Sequence, residues 1–324
     1  MNSADQIRKI IEHQLEIADI DRSPEMLYSP IRYALGSGGK RMRPVLTLLS
    51  CEAFSDQWQS ALNAAMAIEI FHNFTLLHDD IMDNSSMRRG QPTVHCRWND
   101  NTAILSGDAM LILSYEILAR SNPELIVKLL PIFTRVALEV CEGQQLDMDF
   151  ESCEEVSLEN YIEMIRLKTG VLLAGAVQLG ALCGGASDKD AELMYEFGVN
   201  LGLLFQITDD ILDTYGDPKV FGKSIGGDIL CRKKTFLLVS ALQNATEQQR
   251  DRLCKLLEDE SLAAAEKIAA VTAIYDEFNI RQVAEQASDK YFRLAMEALE
   301  QVSLDKNRKS ELAEYATKIR YREK

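Results

Sequence analysis

Phe74-Thr75-Leu76-Leu77-His78-Asp79-Asp80-Ile81-Met82-Asp83 is answered 130 residues later by Leu204-Phe205-Gln206-Ile207-Thr208-Asp209-Asp210-Ile211-Leu212-Asp213. Each stretch reads as an apolar helix ending in Asp-Asp-x-x-Asp. Positions i and i+4 of a helix share a face with roughly 5–6 Å between Cβ atoms, so Asp79 with Asp83, and Asp209 with Asp213, each present two carboxylates on one side. Outward from these stretches, apolar residues recur at three and four positions, as in Ala61, Ala64, Ala65, Ile68, Phe71 and Leu76 or in Leu193, Phe197, Leu201 and Leu204, which is the helical period. Breaks fall at Gly36-Ser37-Gly38-Gly39, Asn84-Ser85-Ser86, Gly90-Gln91-Pro92, Asn122-Pro123, Gly184-Gly185 and Gly216-Asp217-Pro218, the punctuation of helix-to-helix connections. No alternating run is long enough for a sheet, and no Pro/Gly/Ser-rich linker divides the chain. The spacing predicts one all-α domain over residues 1–324.

Composition agrees. The chain has 324 residues, 47% of them hydrophobic and 26% charged, with only 17 Gly and 7 Pro, a globular balance poor in turn formers. Its length allows about three quarters of the unfolded chain's surface to be buried. A net charge of −15 argues against nucleic acid or an anionic membrane surface as partner, so any anionic ligand must be held locally. Met1–Ile20 reads as an amphipathic helix and not as a signal peptide. The longest uncharged run, Thr169–Ser187, contains Gly170, Gly175, Gly180 and Gln178 and reads as a tightly packed buried helix, so no stable membrane anchor is expected. Seven cysteines without a CxxC pair point to a reduced, cytoplasmic protein.

Three aspartates at the end of each apolar helix repel one another unless cations are supplied. Oxygen donors without His or Cys select Mg²⁺ or Ca²⁺ over zinc, and Mg²⁺ is held by one or two carboxylates, waters and substrate phosphate. Asp79, Asp80, Asp83, Asp209, Asp210 and Asp213 are therefore the candidate metal ligands, two walls that could grip one diphosphate between them. Neither motif has the Gly and distal Glu of a calcium loop. Glu69 and His72 suggest a di-iron bundle, but no other histidine has a Glu three residues before it, and that reading needs a second such pair. Cations cluster in Gly39-Lys40-Arg41-Met42-Arg43-Pro44, Arg88-Arg89-Gly90, Lys168-Thr169, Gly222-Lys223 and Lys233-Lys234-Thr235, where arginine forks and lysine point charges suit phosphate.

Taken together, Gly38–Pro44, Glu69–His72 through Asp83, Arg88–Gly90, Gly107-Asp108, Lys168-Thr169, Gln206–Asp213, and Gly222-Lys223 with Gly227-Asp228 and Lys233 resemble, in family order and over nearly the whole chain, the trans-prenyl diphosphate synthases. The resemblance implies an all-α, single-domain bundle around a deep central cavity, a homodimer, and a Mg²⁺-dependent condensation of isopentenyl diphosphate with an allylic diphosphate of C5 to C15. It implies that Asp79 and Asp83 carry two Mg²⁺ ions and Asp209, with Asp213 nearby, a third. Arg88, Lys168, Thr169, Lys223 and Lys233 would hold the allylic diphosphate with Gln206 beside them. Lys40, Arg43, His72 and Arg89 would hold isopentenyl diphosphate. Asp79, Asp83, Asp209, Lys168 and Lys223 are the expected catalytic set. Cys231-Arg232 stand where the family commonly has Glu-Gly, which bears on the choice of Lys233 over Lys234.

Product length in this family is set beneath the first motif, here by Phe74 and Thr75. Bulky Phe74 beside small Thr75 implies geranylgeranyl diphosphate (C20), ahead of farnesyl diphosphate (C15) and of longer products, and Phe74→Ala should then lengthen the product. At about 100° per residue Phe74 lies about 140° from Asp79 and Thr75 about 40°, so Phe74 could equally be interhelical core. A terpene cyclase would not need the Gly-Lys-Arg block, and a non-catalytic subunit of a heteromeric synthase would tend to have lost aspartates. The basic C-terminus, Lys318, Arg320, Tyr321, Arg322 and Lys324, could close over the site.

Overall fold

The computed structural model describes residues 2–18, 20–216 and 225–321. They form helices α1 (Ala4–Glu16), α2 (Glu25–Gly36), α3 (Met42–Phe54), α4 (Leu62–Met82), α5 (Val94–Arg97), α6 (Asp100–Leu118), α7 (Pro123–Ser152), α8 (Leu158–Ile165), α9 (Val171–Cys183), α10 (Asp188–Tyr215), α11 (Gly227–Leu230), α12 (Phe236–Asn244), α13 (Glu247–Glu258), α14 (Ala264–Glu277), α15 (Ile280–Gln301) and α16 (Lys306–Arg320). The fold is all-α, as the periodicity predicts. Its one sheet among the described residues is a hairpin, β1 (Met87–Arg88) against β2 (Gln91–Pro92). Two-residue strands are too short to leave an alternating pattern, so the sequence shows only the turn. Arg89 (φ +52°) and Gly90 (φ +75°) occupy the two left-handed positions of such a two-residue loop.

The chain separates into two compact units: residues 1–135, 175–195 and 302–312, and residues 136–174, 196–301 and 313–324. In the first, α4 packs along α6 and against α3. Small residues let backbones meet there. A Cβ on Gly180 would stand 2.0 Å from the Thr47 carbonyl oxygen, and one on Gly107 would stand 2.3 Å from the His78 ring. In the second, Tyr161, Ile207, Leu237, Leu253, Val271 and Ile274 form the centre of an apolar core. Gly202 meets Gly170 there, a Cβ on the former lying 2.5 Å from the latter's Cα.

Leu158–Cys183 is long and apolar enough to cross a membrane, yet 89% of its most apolar window is buried inside the protein. That burial marks it as a core helix, as the glycine-containing run suggests. A single π turn, Arg166–Gly170, interrupts it. A Cβ on Gly143 would stand 2.2 Å from the Lys168 backbone nitrogen, so glycine at 143 is what admits the widened turn. All seven cysteines are free thiols.

Candidate active site

In the first unit the basic block splits by direction. Arg41 begins α3 in the left-handed region (φ +48°) and turns its guanidinium inward. There Nη1 donates to Glu69 Oε1 at 2.6 Å and Nη2 to the Leu35 carbonyl at 2.5 Å. Asn73 donates to the same Glu69 carboxylate at 3.0 Å. Lys40 is exposed and Arg43 half-buried. Arg43 Nη1 lies 3.1 Å from His72 Nε2, a contact that requires His72 to accept. Burial and the neighbouring Arg43 and Arg89 charges hold the imidazole well below its ordinary pKa, so His72 is neutral at pH 7 and keeps Nδ1–H to donate.

The hairpin delivers the next two arginines. Arg89 donates to the Gly38 carbonyl, and its guanidinium covers Gly39, where a Cβ would stand 2.7 Å from Cζ. Gly39 is thus a seat for Arg89. Arg88 Nε donates to Asp80 Oδ1 at 2.7 Å, and Nη2 lies 3.4 Å from Asp79 Oδ2. Asp80 is buried, and burial raises its pKa against the opposing pull of Arg88. Asp79 and Asp83 are half-buried. Asp83 closes the helix, its amide donating to the Asp79 carbonyl at 2.8 Å.

His72, Thr75, Asp79 and Asp83, spaced by three and four residues, are all partly accessible, so one stripe of α4 carries them. Phe74 lies off it. Its ring packs on Phe71 and His78 at centroid distances of 5.4 and 4.9 Å, and Phe71 continues to Phe133 at 5.6 Å. The His78 Nε2 contacts the Ile104 carbonyl at 3.1 Å, which turns this aromatic row toward α6.

In the second unit the echo motif repeats the division of labour. Asp210 is buried. Its Oδ2 accepts from the Tyr161 hydroxyl and, at 2.8 Å, from the Phe236 amide. Its Oδ1 accepts from Gln206 Nε2 at 3.1 Å. Burial, then the Asp228 charge, push its pKa up to about 7, while those donors oppose the rise. Asp209 and Asp213 are half-buried. Asp213 Oδ2 accepts the Asp228 amide at 3.0 Å. Gln206 Oε1 accepts from Thr169 Oγ1 at 3.1 Å, and Lys168 Nζ reaches Asp147 Oδ2 at 2.5 Å. The Lys233 amide donates to the Asp228 carbonyl at 2.9 Å. Lys223, Arg322 and Lys324 lie outside the described residues. Arg320 pairs with Asp289.

Helical spacing already set the outer aspartates apart on one face, but all six stood as candidate metal ligands. The structure separates buried Asp80 and Asp210, whose oxygens hold the fold's own donors, from the accessible outer pairs. No sign in the sequence pointed to Tyr161 or Asp147, and Arg41 stood there with the phosphate-facing cations rather than with the core. Glu69, an acid in the apolar first half of α4, was the available sign of Arg41's inward turn. Among the described residues no three His, Cys, Asp or Glu side chains form a ready-made cage. The outer aspartates offer oxygen pairs instead, a donor set that fits a cation completed by water and phosphate.

In each unit a helix ends in oxygen-only donors, and in the first unit arginines and a neutral imidazole lie on the same helix or the adjoining hairpin; this is the chemistry of a helical enzyme that pairs Mg²⁺ with phosphate. A family model described as polyprenyl synthetase matches residues 24–278. The geranylgeranyl pyrophosphate synthase of Geoglobus acetivorans is 38% identical over 311 residues, 95% of each chain. A solved geranylgeranyl pyrophosphate synthase superposes with a TM-score of 0.95 at 40% identity, covering 100% of both chains. The Corynebacterium glutamicum enzyme of the same name, solved with isoprenyl diphosphate and magnesium, gives a TM-score of 0.88 at 27% identity over 99% of this chain and 100% of its own. The chain belongs to the polyprenyl synthetase family and is a trans-prenyltransferase.

Proposed function

We propose that the protein condenses isopentenyl diphosphate head-to-tail with allylic diphosphates of C5 to C15 and releases geranylgeranyl diphosphate. It does so as one catalytic domain spanning residues 1–324, active as a cytoplasmic homodimer with no membrane anchor. The observation that carries the reaction is the repeated motif, in which the middle aspartate is anchored and the outer two stay accessible. The names of its relatives support the C20 product. Ile112 and Val127, on α6 and α7, are 68% and 73% exposed, apolar surface that a second copy would cover. Light scattering should give twice the 36.4 kDa chain mass; a 36.4 kDa particle would refute the dimer.

The reaction begins with loss of diphosphate from the allylic carbon. Charge develops on the leaving oxygens, and Arg88, Lys168, Lys223 and Lys233, with Thr169 and Gln206 as neutral partners, stabilise it. Asp79, Asp83, Asp209 and Asp213 would hold Mg²⁺, three ions with substrate bound, which supplies Lewis-acid stabilisation of that charge. Lys40, Arg43, Arg89 and the Nδ1–H of His72 hold the second diphosphate, so that the isopentenyl double bond attacks the allylic cation. The departed diphosphate takes the proton lost afterwards, and no side-chain nucleophile is needed. Incubation with Mg²⁺, labelled isopentenyl diphosphate and C5, C10 or C15 starters should yield C20. Accumulation at C15 or beyond C20 would overturn the product assignment, and no incorporation would overturn the reaction.

Three substitutions probe the parts separately. Gly39→Ala displaces the Arg89 guanidinium from its seat and forces alanine into φ +130°. Losing one charge-assisted contact raises the KM for isopentenyl diphosphate about tenfold while the allylic KM stays within about twofold; equal rises in both would contradict the assignment. For product length we place Thr75 on the wall of the growing chain with Phe74 packed behind it. Thr75→Phe should stop synthesis at C15 or shorter, and an unchanged C20 product would remove Thr75 from the wall. Phe74→Ala should lengthen the product, and unchanged length with a lower melting temperature would leave Phe74 as interhelical packing alone.

A further inference from the structure

Tyr161 is 2% exposed and lies within the apolar core of the second unit, its ring edge-on to Phe236 at 6.2 Å. A tyrosine buried that deeply needs a partner for its hydroxyl, and the partner is Asp210. The same carboxylate receives the Phe236 amide, which follows directly on the Lys233–Thr235 segment, and Gln206, which in turn receives Thr169 of the π turn. Three pieces placed above around the allylic diphosphate are therefore tied to one carboxylate: Gln206 directly, Thr169 through Gln206, and the Lys233 segment through the Phe236 amide that follows it. Asp210 is only 3% exposed and its oxygens already accept three donors, so it is an anchor and not an open ligand. Asp209 and Asp213 flank it on the same helix.

We propose that Tyr161 is a positioning residue for prenyl transfer, which acts through Asp210 to hold the Thr169–Gln206 pair and the Lys233 segment in register with Asp209 and Asp213. The inference rests on the prenyl-transfer reading of this site. Nothing in the sequence marks Tyr161 for this role, since it lies 49 positions from its partner.

Tyr161→Phe keeps the ring and its packing and leaves Asp210 one donor short. Its expected effects are a kcat lower by about tenfold or more, a Mg²⁺ activation curve displaced several-fold to higher concentration, and a KM for isopentenyl diphosphate within about twofold. Tyr115→Phe, which removes a hydroxyl contact to Thr134 in the other unit, should change none of these. A purely structural role would lower the melting temperature and leave the Mg²⁺ curve in place, and that result would overturn the proposal. Should Tyr161→Phe fail to fold, Thr169→Val severs the same chain of hydrogen bonds at its other end. The same displacement of the Mg²⁺ curve is expected, and an unmoved curve would again overturn it. A wild-type chain that condenses nothing would defeat the functional reading first; an active wild type matched by both variants would defeat this inference alone.

Discussion

Asp79→Ala lowers kcat by about a thousandfold or more with the melting temperature nearly unchanged. Asp79 is partly accessible, lies on the His72–Thr75–Asp83 stripe, and stands 3.4 Å from the Arg88 guanidinium, which grips Asp80 at 2.7 Å. Its carboxylate is therefore available to hold a cation against the leaving diphosphate, and removing one preorganised charge-stabilising element from a transition state costs about a hundred- to a thousandfold, more where a metal is lost with it. Asp80→Asn behaves differently: its group is buried against Arg88 at 2.7 Å, so stability falls along with rate. Steady-state kinetics beside thermal melts separate the two. A loss below tenfold in Asp79→Ala would remove that residue from the catalytic set.

Arg41→Met destabilises the protein by about 3–5 kcal/mol, because it leaves the Glu69 carboxylate buried without its cation. The two side chains are 3% and 2% exposed, and Asn73 alone cannot neutralise the remaining charge. The double variant Arg41→Met/Glu69→Leu regains most of that loss, since an apolar pair of similar volume can replace a buried ion pair at little cost. Urea midpoints on the three proteins read the effect. A single variant within about 1 kcal/mol of wild type would show that the buried Arg41–Glu69 pair does not stabilise the fold.

The helical architecture was legible because its signals are local. Apolar spacing around Ala61–Leu76 and Leu193–Leu204 requires only one face of each helix to be buried. The aspartate echo was legible for the same reason, i and i+4 being neighbours on any helix. What stayed hidden depends on partners distant in sequence. Asp79 and Asp80 are adjacent and identical in type, and only the Arg88 side chain presented by the hairpin makes one structural and leaves the other accessible. The same holds for Asp209 and Asp210, where Tyr161 and the Phe236 amide decide. Arg41 looked like one cation among three because its left-handed φ, which turns it inward, has no signature in an arginine. The helical wheel allowed both readings of Phe74, and packing on Phe71 and His78 puts it off the Asp79 stripe. The π turn at Arg166–Gly170 depends on Gly143, more than 20 positions away, and no periodicity reports it.

The claim beneath the whole account is that the outer aspartates of each motif, and not the buried middle ones, carry the metal that the substrate diphosphate needs. A crystal structure of the chain with Mg²⁺ and a non-hydrolysable allylic diphosphate tests it most directly. The expected result is Mg²⁺ on Asp79 and Asp83 and on Asp209 when the diphosphate is bound. Ions held by Asp80 or Asp210, or by none of the six aspartates, would contradict it.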